Sequence, residues 1–166
     1  MSRRAATRAE SQAPEELLSV GYLLGRARAS LLSSLDAELE RFGMSGMQFG
    51  ALRHLTEGSA RTAADLCRLM SYDTGAMTRI LDRLEEKGMV QRERSREDRR
   101  VVVLRVSASG RALLPRLMAV GERVLEAHLV GFTHTEIGAL KGYLGRMIDN
   151  GQRQGDIQQQ SSGASA

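Results

Sequence analysis

The stretch TAADLCRLMSYDTGAMTRILDRLEEKGMVQRERSREDRRVVVLRVSASGRALL (residues 62–114) decides the fold, because the spacing of its apolar residues changes along the chain. In the first half these residues recur every three or four positions, which predicts helices at about 62–70 and 73–87. Gly88 then supplies the glycine that commonly follows the end of a helix. Two short helices joined by a tight turn are therefore expected at the start of the stretch.

The second half of the stretch changes to a period of two. Residues 89–94 and 101–106 alternate or are rich in valine, which predicts two short strands. Between them lies the charged segment SREDRR (95–100), which is typical of a hairpin tip. A helix capped by Ser107 is expected to follow and to run to about residue 130.

Helical spacing continues outward on both sides. Leucines three, four or seven apart predict one long helix over 15–41, ended by Gly43, and a shorter helix at about 45–57. Thr133 and Glu136 form a capping box for a last helix. The predicted fold class is mainly α with a small β-hairpin wing: a winged helix-turn-helix with N- and C-terminal dimerisation helices.

The long terminal helices carry more apolar surface than a small domain can cover, which predicts a C2 homodimer. Both chain ends lack apolar periodicity, and the C-terminal end is rich in Gln, Ser and Gly, so we expect both to be disordered. The expected division is a disordered leader (1–13), an N-terminal dimerisation helix (14–43), a winged helix-turn-helix DNA-binding domain (44–107), C-terminal dimerisation helices (108–149) and a disordered tail (150–166).

Composition excludes several classes of protein. The 166 residues are 42% hydrophobic and 27% charged, and no apolar run approaches the roughly 18 residues of a membrane span. The single cysteine, Cys67, leaves no internal disulfide and fits a reducing compartment, so we expect a cytoplasmic protein that does not bind membranes. Three histidines and one cysteine form no catalytic triad, and no glycine-rich phosphate loop is present. We therefore predict no enzymatic activity and no cofactor.

The predicted helix over 73–87 has the features of a helix that enters the major groove of DNA. Its apolar positions fall on one face, and small or basic residues fall on the other. Thr74 and Thr78 can bond phosphates or base edges, Gly75 allows close approach, and an arginine can bind guanine with two hydrogen bonds. The expected contacts from this helix are Thr74, Gly75, Thr78, Arg79 and Arg83.

The hairpin is the second predicted contact with DNA. Residues 91–105 contain six arginines and three acidic residues, a net of 6 − 3 = +3 against +4 for the whole chain. Arginine at a thin β-tip suits the negative potential of a narrow minor groove. The contacts expected here are Arg94, Arg96, Asp98, Arg99 and Arg100. Because the hairpin offers no aromatic side chain on which bases stack, duplex DNA is favoured over single strands.

The quoted stretch, and above all TRILDRLEEKGMVQRERSREDRRVVVLRVSASG (78–110), resembles the MarR family of winged helix-turn-helix bacterial transcription regulators. The segment Asp98-Arg99-Arg100 matches the Asp-x-Arg wing signature of that family. The resemblance, which covers about 17–149, implies an obligate homodimer on a pseudo-palindromic operator. It further implies that Asp98 braces the wing by a salt bridge with Arg100, that Arg99 enters the minor groove, and that Arg79 occupies the usual recognition-helix position.

Resemblance to this family also implies a repressor released by a small aromatic effector, either a phenol or a carboxylate. Tyr22 and Arg26 lie four apart on the first long helix and are expected to share a face. Arg26 can bind a carboxylate with two hydrogen bonds, and His54 can add a polar contact. These three side chains are equally compatible with roles in an interface or in the core.

Three other interpretations remain open at this stage. A metal-responsive regulator would use His128 and His134 with Glu126 or Glu136. A thiol-redox regulator would use Cys67, which is also an ordinary choice for a small core residue. A pure interaction module would use the long helices and would show no salt-sensitive binding to duplex DNA.

Overall fold

A computed structural model describes the backbone of residues 3–95 and 97–163 and the side chains of residues 17–95 and 97–154. The predicted fold class, mainly α with one β-hairpin, is confirmed. The elements in chain order are α1 (Arg3–Leu39), a 3-10 turn (Glu40–Phe42), α2 (Gly46–Glu57), α3 (Ala63–Met70), α4 (Thr74–Glu86), β1 (Val90–Arg94), β2 (Val102–Val106), α5 (Ala108–His128) and α6 (His134–Gly163).

The two terminal helices are longer than expected. Helix α1 begins at Arg3 and α6 ends at Gly163, so both helices continue into the segments that were expected as leader and tail. Disorder was expected because these segments lack regularly spaced apolar residues. Such spacing indicates only whether one face of a helix is buried. Ala, Arg, Glu and Gln, which are common in these segments, favour the helix by local propensity whether or not a face is buried.

Helix starts in the middle of the chain follow from local side-chain caps. Thr62 accepts the Asp65 N–H at 3.1 Å, and the Asp65 carboxylate accepts the Thr62 N–H at 3.0 Å, which completes the capping box of α3. Ser107 caps α5 by accepting the Gly110 N–H at 3.0 Å. Each cap satisfies N–H groups that have no partner inside the helix. The predicted helix starts are thus confirmed at these positions.

The hairpin pairs β1 and β2 antiparallel, with Val90 opposite Val106 and Arg94 opposite Val102. The Leu104 N–H also donates to the Arg61 carbonyl at 2.8 Å, which ties β2 to the segment that leads into α3. The hairpin is therefore attached to the helical part of the domain through β2.

The chain divides into two compact units, Met1–Leu125 and Glu126–Ala166. The first unit holds the core, in which the predicted inward face of α4 is buried: Met77 and Leu84 are fully buried, Leu81 is nearly so, and Ile80 packs at the edge. Leucines from α1, α2, α3 and α5 surround this face. The core therefore fixes which side of α4 points to solvent.

The second unit contains the end of α5, a short loop and α6. The capping box of α6 is formed as predicted, since the Glu136 carboxylate accepts the Thr133 N–H at 2.7 Å and the Glu136 N–H donates to Thr133 Oγ1 at 3.3 Å. Large apolar side chains of this unit, among them Val130, Tyr143 and Ile148, are exposed. None of the helices, over the residues that the structure describes, combines the length and apolarity that a membrane crossing requires.

Candidate nucleic-acid interface

Asp73 positions the N-terminus of α4. Its carboxylate accepts the Ala76 N–H at 2.8 Å. That hydrogen bond lowers the pKa of Asp73 most, the Gly75 N–H lowers it further, and the positive charge of Arg79 adds to the effect. The Asp73 cap therefore orders the first turn of α4, in which Thr74 and Gly75 are exposed to solvent.

The outward face of α4 carries every residue that the sequence predicted for it. Thr74, Gly75, Thr78, Arg79 and Arg83 are all exposed. The Thr78 hydroxyl donates to the Thr74 carbonyl at 2.8 Å, so its oxygen lone pairs face outward as acceptors. Small groups therefore lie at the start of α4 and guanidinium groups lie one to two turns further along.

Arg79 and Arg83 border a groove between α4 and the N-terminus of α2, with Ser45 and Met47 on the opposite side. Within residues 17–95 and 97–154, neither arginine forms an ion pair. A guanidinium group without an internal carboxylate keeps all five N–H donors for a phosphate or a base.

Two polar side chains shape the tip of the hairpin. Ser95 Oγ accepts the N–H groups of Glu97 and Asp98 at 3.2 and 3.4 Å. The Asp98 carboxylate accepts the Arg100 N–H at 2.9 Å, and the Asp98 carbonyl accepts the Val101 N–H at 2.9 Å. The tip is thus a small hydrogen-bonded loop that turns the chain between the strands.

This geometry corrects the expected role of Asp98. The resemblance implied a salt bridge from Asp98 to the Arg100 side chain, whereas the carboxylate binds the backbone N–H of Arg100. A short acidic side chain at a turn readily caps the backbone two residues on. Consequently the Arg100 guanidinium is left available for other partners.

The arginines of the hairpin divide into two groups. Arg94, Arg99 and Arg100 are exposed and form no ion pair with any described residue. Arg105, in contrast, binds Glu93 across the strands at 2.7 Å. Arg96, a predicted contact, lies outside the described residues.

Arg92 connects the hairpin to α4. Its guanidinium contacts Asp82 at 2.7 Å and Glu85 at 2.6 Å, both on α4. The hydrogen bond with Asp82, followed by that with Glu85, raises the pKa of Arg92 above its ordinary value. Arg92 is one of the six arginines that make residues 91–105 positively charged in the sequence. The structure shows that it is neutralised, and no sequence spacing predicts a pair ten residues apart.

Lys87 connects the other end of α4 to the turn that precedes α2. Its ammonium group donates to the Gly43 carbonyl and, at 3.0 Å, to Gln48 Oε1. Gln48 is the buried polar residue of the core, and its amide oxygen also accepts the Ser45 N–H at 3.2 Å. Helix α4 is therefore held at its C-terminus by Lys87 and along its side by Arg92.

The predicted effector residues are only partly brought together. Arg26 donates to the Tyr22 hydroxyl at 3.1 Å and lies 5.9 Å from the centre of its ring, so the two share an exposed face of α1 as expected. His54 instead pairs with Ser59, with 2.9 Å between Nδ1 and Oγ, at the end of α2. No hydrogen bond or ion pair among the described side chains joins His54 to Tyr22 or Arg26.

The described residues provide neither a cluster of metal ligands for the metal-responsive alternative nor a second thiol for the thiol-redox alternative. Among the described residues, no group of three or more His, Cys, Asp or Glu side chains comes together. Glu136, one of the expected metal ligands, is occupied by the cap of α6. Cys67 is half-buried beside the core, and the sequence contains no second cysteine with which it might form an internal disulfide.

Comparisons with known proteins agree with this geometry. A family model described as the MarR family matches residues 42–101, which include the helix-turn-helix and most of the hairpin. The HTH-type transcriptional repressor Rv2887 of Mycobacterium tuberculosis is 36% identical over 101 residues, which are 61% of this chain and 73% of that protein. This chain belongs to the MarR family.

Two further similarities extend along the chain. The transcriptional regulator SarZ of Staphylococcus haemolyticus is 39% identical over 105 residues, or 63% of this chain and 71% of that protein. The crystal structure of a cysteine-to-serine mutant of MarR from Escherichia coli, complexed with operator DNA, has a TM-score of 0.71 at 26% identity. The alignment covers 80% of this chain and 95% of that chain. MarR-family proteins are DNA-binding transcriptional regulators and not enzymes, so the predicted fold and the predicted class of protein are confirmed.

Proposed function

We propose that this protein is a cytoplasmic repressor that binds a pseudo-palindromic operator in duplex DNA as a homodimer and is released by a small aromatic effector. The observation that supports the proposal best is the division of the arginines. Among the described residues, those on the outer face of α4 and at the hairpin tip form no ion pair, whereas Arg92 and Arg105 are each paired with carboxylates.

Helix α4 is the proposed major-groove element. Thr74, Gly75 and Thr78 lie at or near its N-terminus, where the backbone N–H groups favour a phosphate. Arg79 and Arg83 follow on the same exposed face and can bind a guanine edge, which contributes about 1–3 kcal/mol of discrimination between bases. Because Met77, Leu81 and Leu84 anchor the opposite face, these contacts are presented in a fixed orientation.

The hairpin tip is the proposed minor-groove element. Arg99 lies at the turn, where the Asp98 cap directs the chain, and Arg94 and Arg100 flank it. Arg96 belongs to the same charged segment in the sequence. Guanidinium groups are weakly hydrated and favour the deep negative potential of a narrow minor groove, so the tip would prefer AT-rich flanks.

Exposed apolar side chains support the proposed dimer. On α1, Leu17 is 74% exposed, Leu18 77% and Leu23 61%, although long leucine side chains are costly to leave in water. The second unit carries its own exposed set, including Val130 and Ile148. Burial of such surfaces against a second copy would yield two equivalent winged domains, which bind half-sites about 34–36 Å apart.

Tyr22 and Arg26 are the proposed effector contacts on α1. Their 3.1 Å hydrogen bond places a phenol beside a guanidinium, which suits a ring that carries a carboxylate. His54 lies at a separate position and would contribute only if the effector reaches the end of α2. A ligand that bound one spacing of the two recognition helices better than the other by about 2.7 kcal/mol would change operator affinity a hundredfold.

The test of DNA binding is selection of bound duplexes from a random library, followed by a comparison of two arginine variants. We expect a palindromic consensus whose affinity falls steeply with salt. Arg99→Ala should weaken binding about tenfold and lower the salt slope by about 1, because one phosphate or groove contact is lost.

Arg105→Ala is the matched control, since it removes the same charge from a side chain already paired with Glu93. Equal losses in the two variants would show that only net charge matters. Loss of dimerisation in Arg99→Ala would show that the assignment of the hairpin tip is wrong. Release of the selected duplex by a panel of phenols and aromatic carboxylates tests the effector.

A further inference from the structure

Three arginines and one half-buried phenylalanine of the first unit line one shallow cavity. The Arg41 guanidinium lies 5.1 Å and the Arg116 guanidinium 5.0 Å from the centre of the Phe42 ring. A shallow cavity of about 550 Å³ is bounded by these residues together with Ala119 and Arg123. None of the five residues belongs to the proposed DNA or effector contacts.

The arrangement follows from two helices. Arg116, Ala119 and Arg123 lie three, four and seven residues apart on α5, so they share one face beside the turn that carries Arg41 and Phe42. Leu117 and Val120, on the neighbouring face, are buried in the core and fix the orientation of α5. The three arginine side chains therefore border the same cavity because the helix and the turn are both anchored.

Electrostatically the cluster carries an excess of positive charge. Glu38 is the one carboxylate that contacts it among the described residues, at 3.8 Å from Arg41 and 4.0 Å from Arg123. Both distances are at the long limit of an ion pair, and all three side chains are about half exposed, so the attraction is weak. Within the described part of the chain, the contact recorded for the Arg116 guanidinium is the Phe42 ring. Three positive charges and one negative charge leave a net of 3 − 1 = +2.

We propose that this cluster, formed by Arg41, Phe42, Arg116, Ala119 and Arg123, binds a small organic dianion such as a dicarboxylate. Guanidinium groups bind carboxylates with two parallel hydrogen bonds, and the charge of the cluster matches a ligand of charge −2. Phe42 and the small side chain of Ala119 provide apolar contact for a compact carbon frame between the two carboxylates.

A bound dianion would act close to the recognition helix. Phe42 immediately precedes Gly43, whose carbonyl accepts the ammonium group of Lys87 at the end of α4. A ligand that draws Arg41 or Phe42 toward the cavity would therefore act on the anchor of α4. This consequence for DNA affinity rests on the proposed function, whereas binding of the dianion does not.

The test is titration of the full-length protein, without DNA, with phthalate as an aromatic dianion and benzoate as the matched monoanion at constant ionic strength. Calorimetry or NMR shifts of Phe42 and Ala119 would report binding. We expect saturable binding of phthalate that is at least tenfold tighter than that of benzoate. Arg116→Gln and Arg123→Gln should each weaken it about tenfold.

Arg53→Gln is the control, because Arg53 is a similarly exposed arginine on α2 that pairs with Glu57. Absence of saturable binding would overturn the proposal, as would equal weakening by Arg53→Gln or equal affinity for benzoate. Affinity for the selected duplex, measured with and without phthalate, then tests the connection to α4. A protein that bound phthalate but no duplex would refute the proposed function and leave the dianion site standing.

Discussion

At the scale of single residues, the role of each arginine is set by its neighbours. Arg92 contacts two carboxylates, while Arg99, seven residues away, forms no ion pair with any residue that the structure describes and is a proposed contact to DNA. The sequence shows only that both lie in a basic segment. Candidate contacts on α4 were predictable because helical spacing fixes which residues point outward. The neutralisation of Arg92 was not, because it depends on how the hairpin packs beside α4.

Gly110 is a residue at which the backbone leaves no room for a side chain. A Cβ atom there would lie 2.5 Å from the Met89 carbonyl oxygen and 2.9 Å from Val106 Cγ1. We expect Gly110→Ala to lower the free energy of unfolding by about 2 kcal/mol or more, because α5 must move off the hairpin. Urea denaturation measures the change.

Gly138→Ala is the control for this substitution. Gly138 lies within α6, and a Cβ atom there would meet nothing within 4 Å. Alanine in a helix interior is expected to stabilise by about 0.5–1 kcal/mol relative to glycine. A Gly110→Ala protein as stable as the natural chain would contradict the close packing of α5 on the hairpin.

At the scale of elements, the starts of the helices were predictable and the joints between helices were not. Ser107 and Thr133 cap the helices at which the sequence placed them, and Thr62 and Asp73 cap the helices expected at about 62–70 and 73–87, because a cap binds N–H groups only two or three residues away. The anchor from Lys87 to Gly43 spans 44 residues, and no local pattern indicates it. Helices α1 and α6 are longer than predicted because residues with high helix propensity continue beyond the last regularly spaced apolar residue.

The cap of α3 predicts a stability that depends on pH. Hydrogen bonds from the Arg61 N–H, first, and from Thr62 lower the pKa of Asp65 below its ordinary value of 3.8. Since the folded form binds its proton less readily than the unfolded chain, this stabilisation is present above pH 3.8. It is lost as the pH falls through the lowered pKa.

We expect Asp65→Asn to lower the unfolding free energy most near neutrality, where the stabilisation is fully present, and to flatten the acid limb of its plot against pH between about 2 and 5, so that the two proteins converge in acid. Thr62→Ala should cost about 1 kcal/mol at neutral pH through loss of the same capping box. Thermal denaturation across this pH range measures both. An acid limb unchanged by Asp65→Asn would contradict the assigned role of this carboxylate.

Substitution of Arg92 is expected to change the affinity for the operator without changing how that affinity depends on salt. Arg92→Ala should weaken operator binding several-fold, because the hairpin tip is no longer held at a fixed position beside α4. It should leave the salt slope unchanged, since Arg92 releases no counterions when DNA binds. Fluorescence anisotropy at several salt concentrations distinguishes this result from the lower slope expected of Arg99→Ala. A slope reduced in both variants would mean that Arg92 contacts DNA.

At the scale of the whole molecule, the sequence predicted the fold class and the kind of partner but not the ligand sites. Alternating helix and strand periods, with caps at the boundaries, define a winged helix-turn-helix before any contact is known. The arginine cluster around Phe42 brings together Arg41 and Arg116, which are about 75 positions apart in the chain. Only the packing of the folded chain can place such distant residues side by side.

The exposed leucines of α1 predict a dimer that a single charge can disrupt. Leu18→Glu should yield a monomer in sedimentation, because the charge would have to be buried in the proposed contact between copies. Operator affinity should fall sharply, since each monomer binds a single half-site. Leu69→Glu on α3, which also replaces an exposed leucine, should remain a dimer. A Leu18→Glu dimer of unchanged stability would place the contact elsewhere.

The double contact of Arg92 with Asp82 and Glu85 has a consequence for control. A joint held by two carboxylates restrains α4 and the hairpin of one subunit from tilting independently, so each winged domain would meet the duplex of the proposed complex as one rigid body. In the proposed dimer, a signal that changes the distance between two such bodies would then be enough to end repression. Operators whose half-sites are moved apart by one base pair should consequently be discriminated more sharply than operators with a changed base inside a half-site.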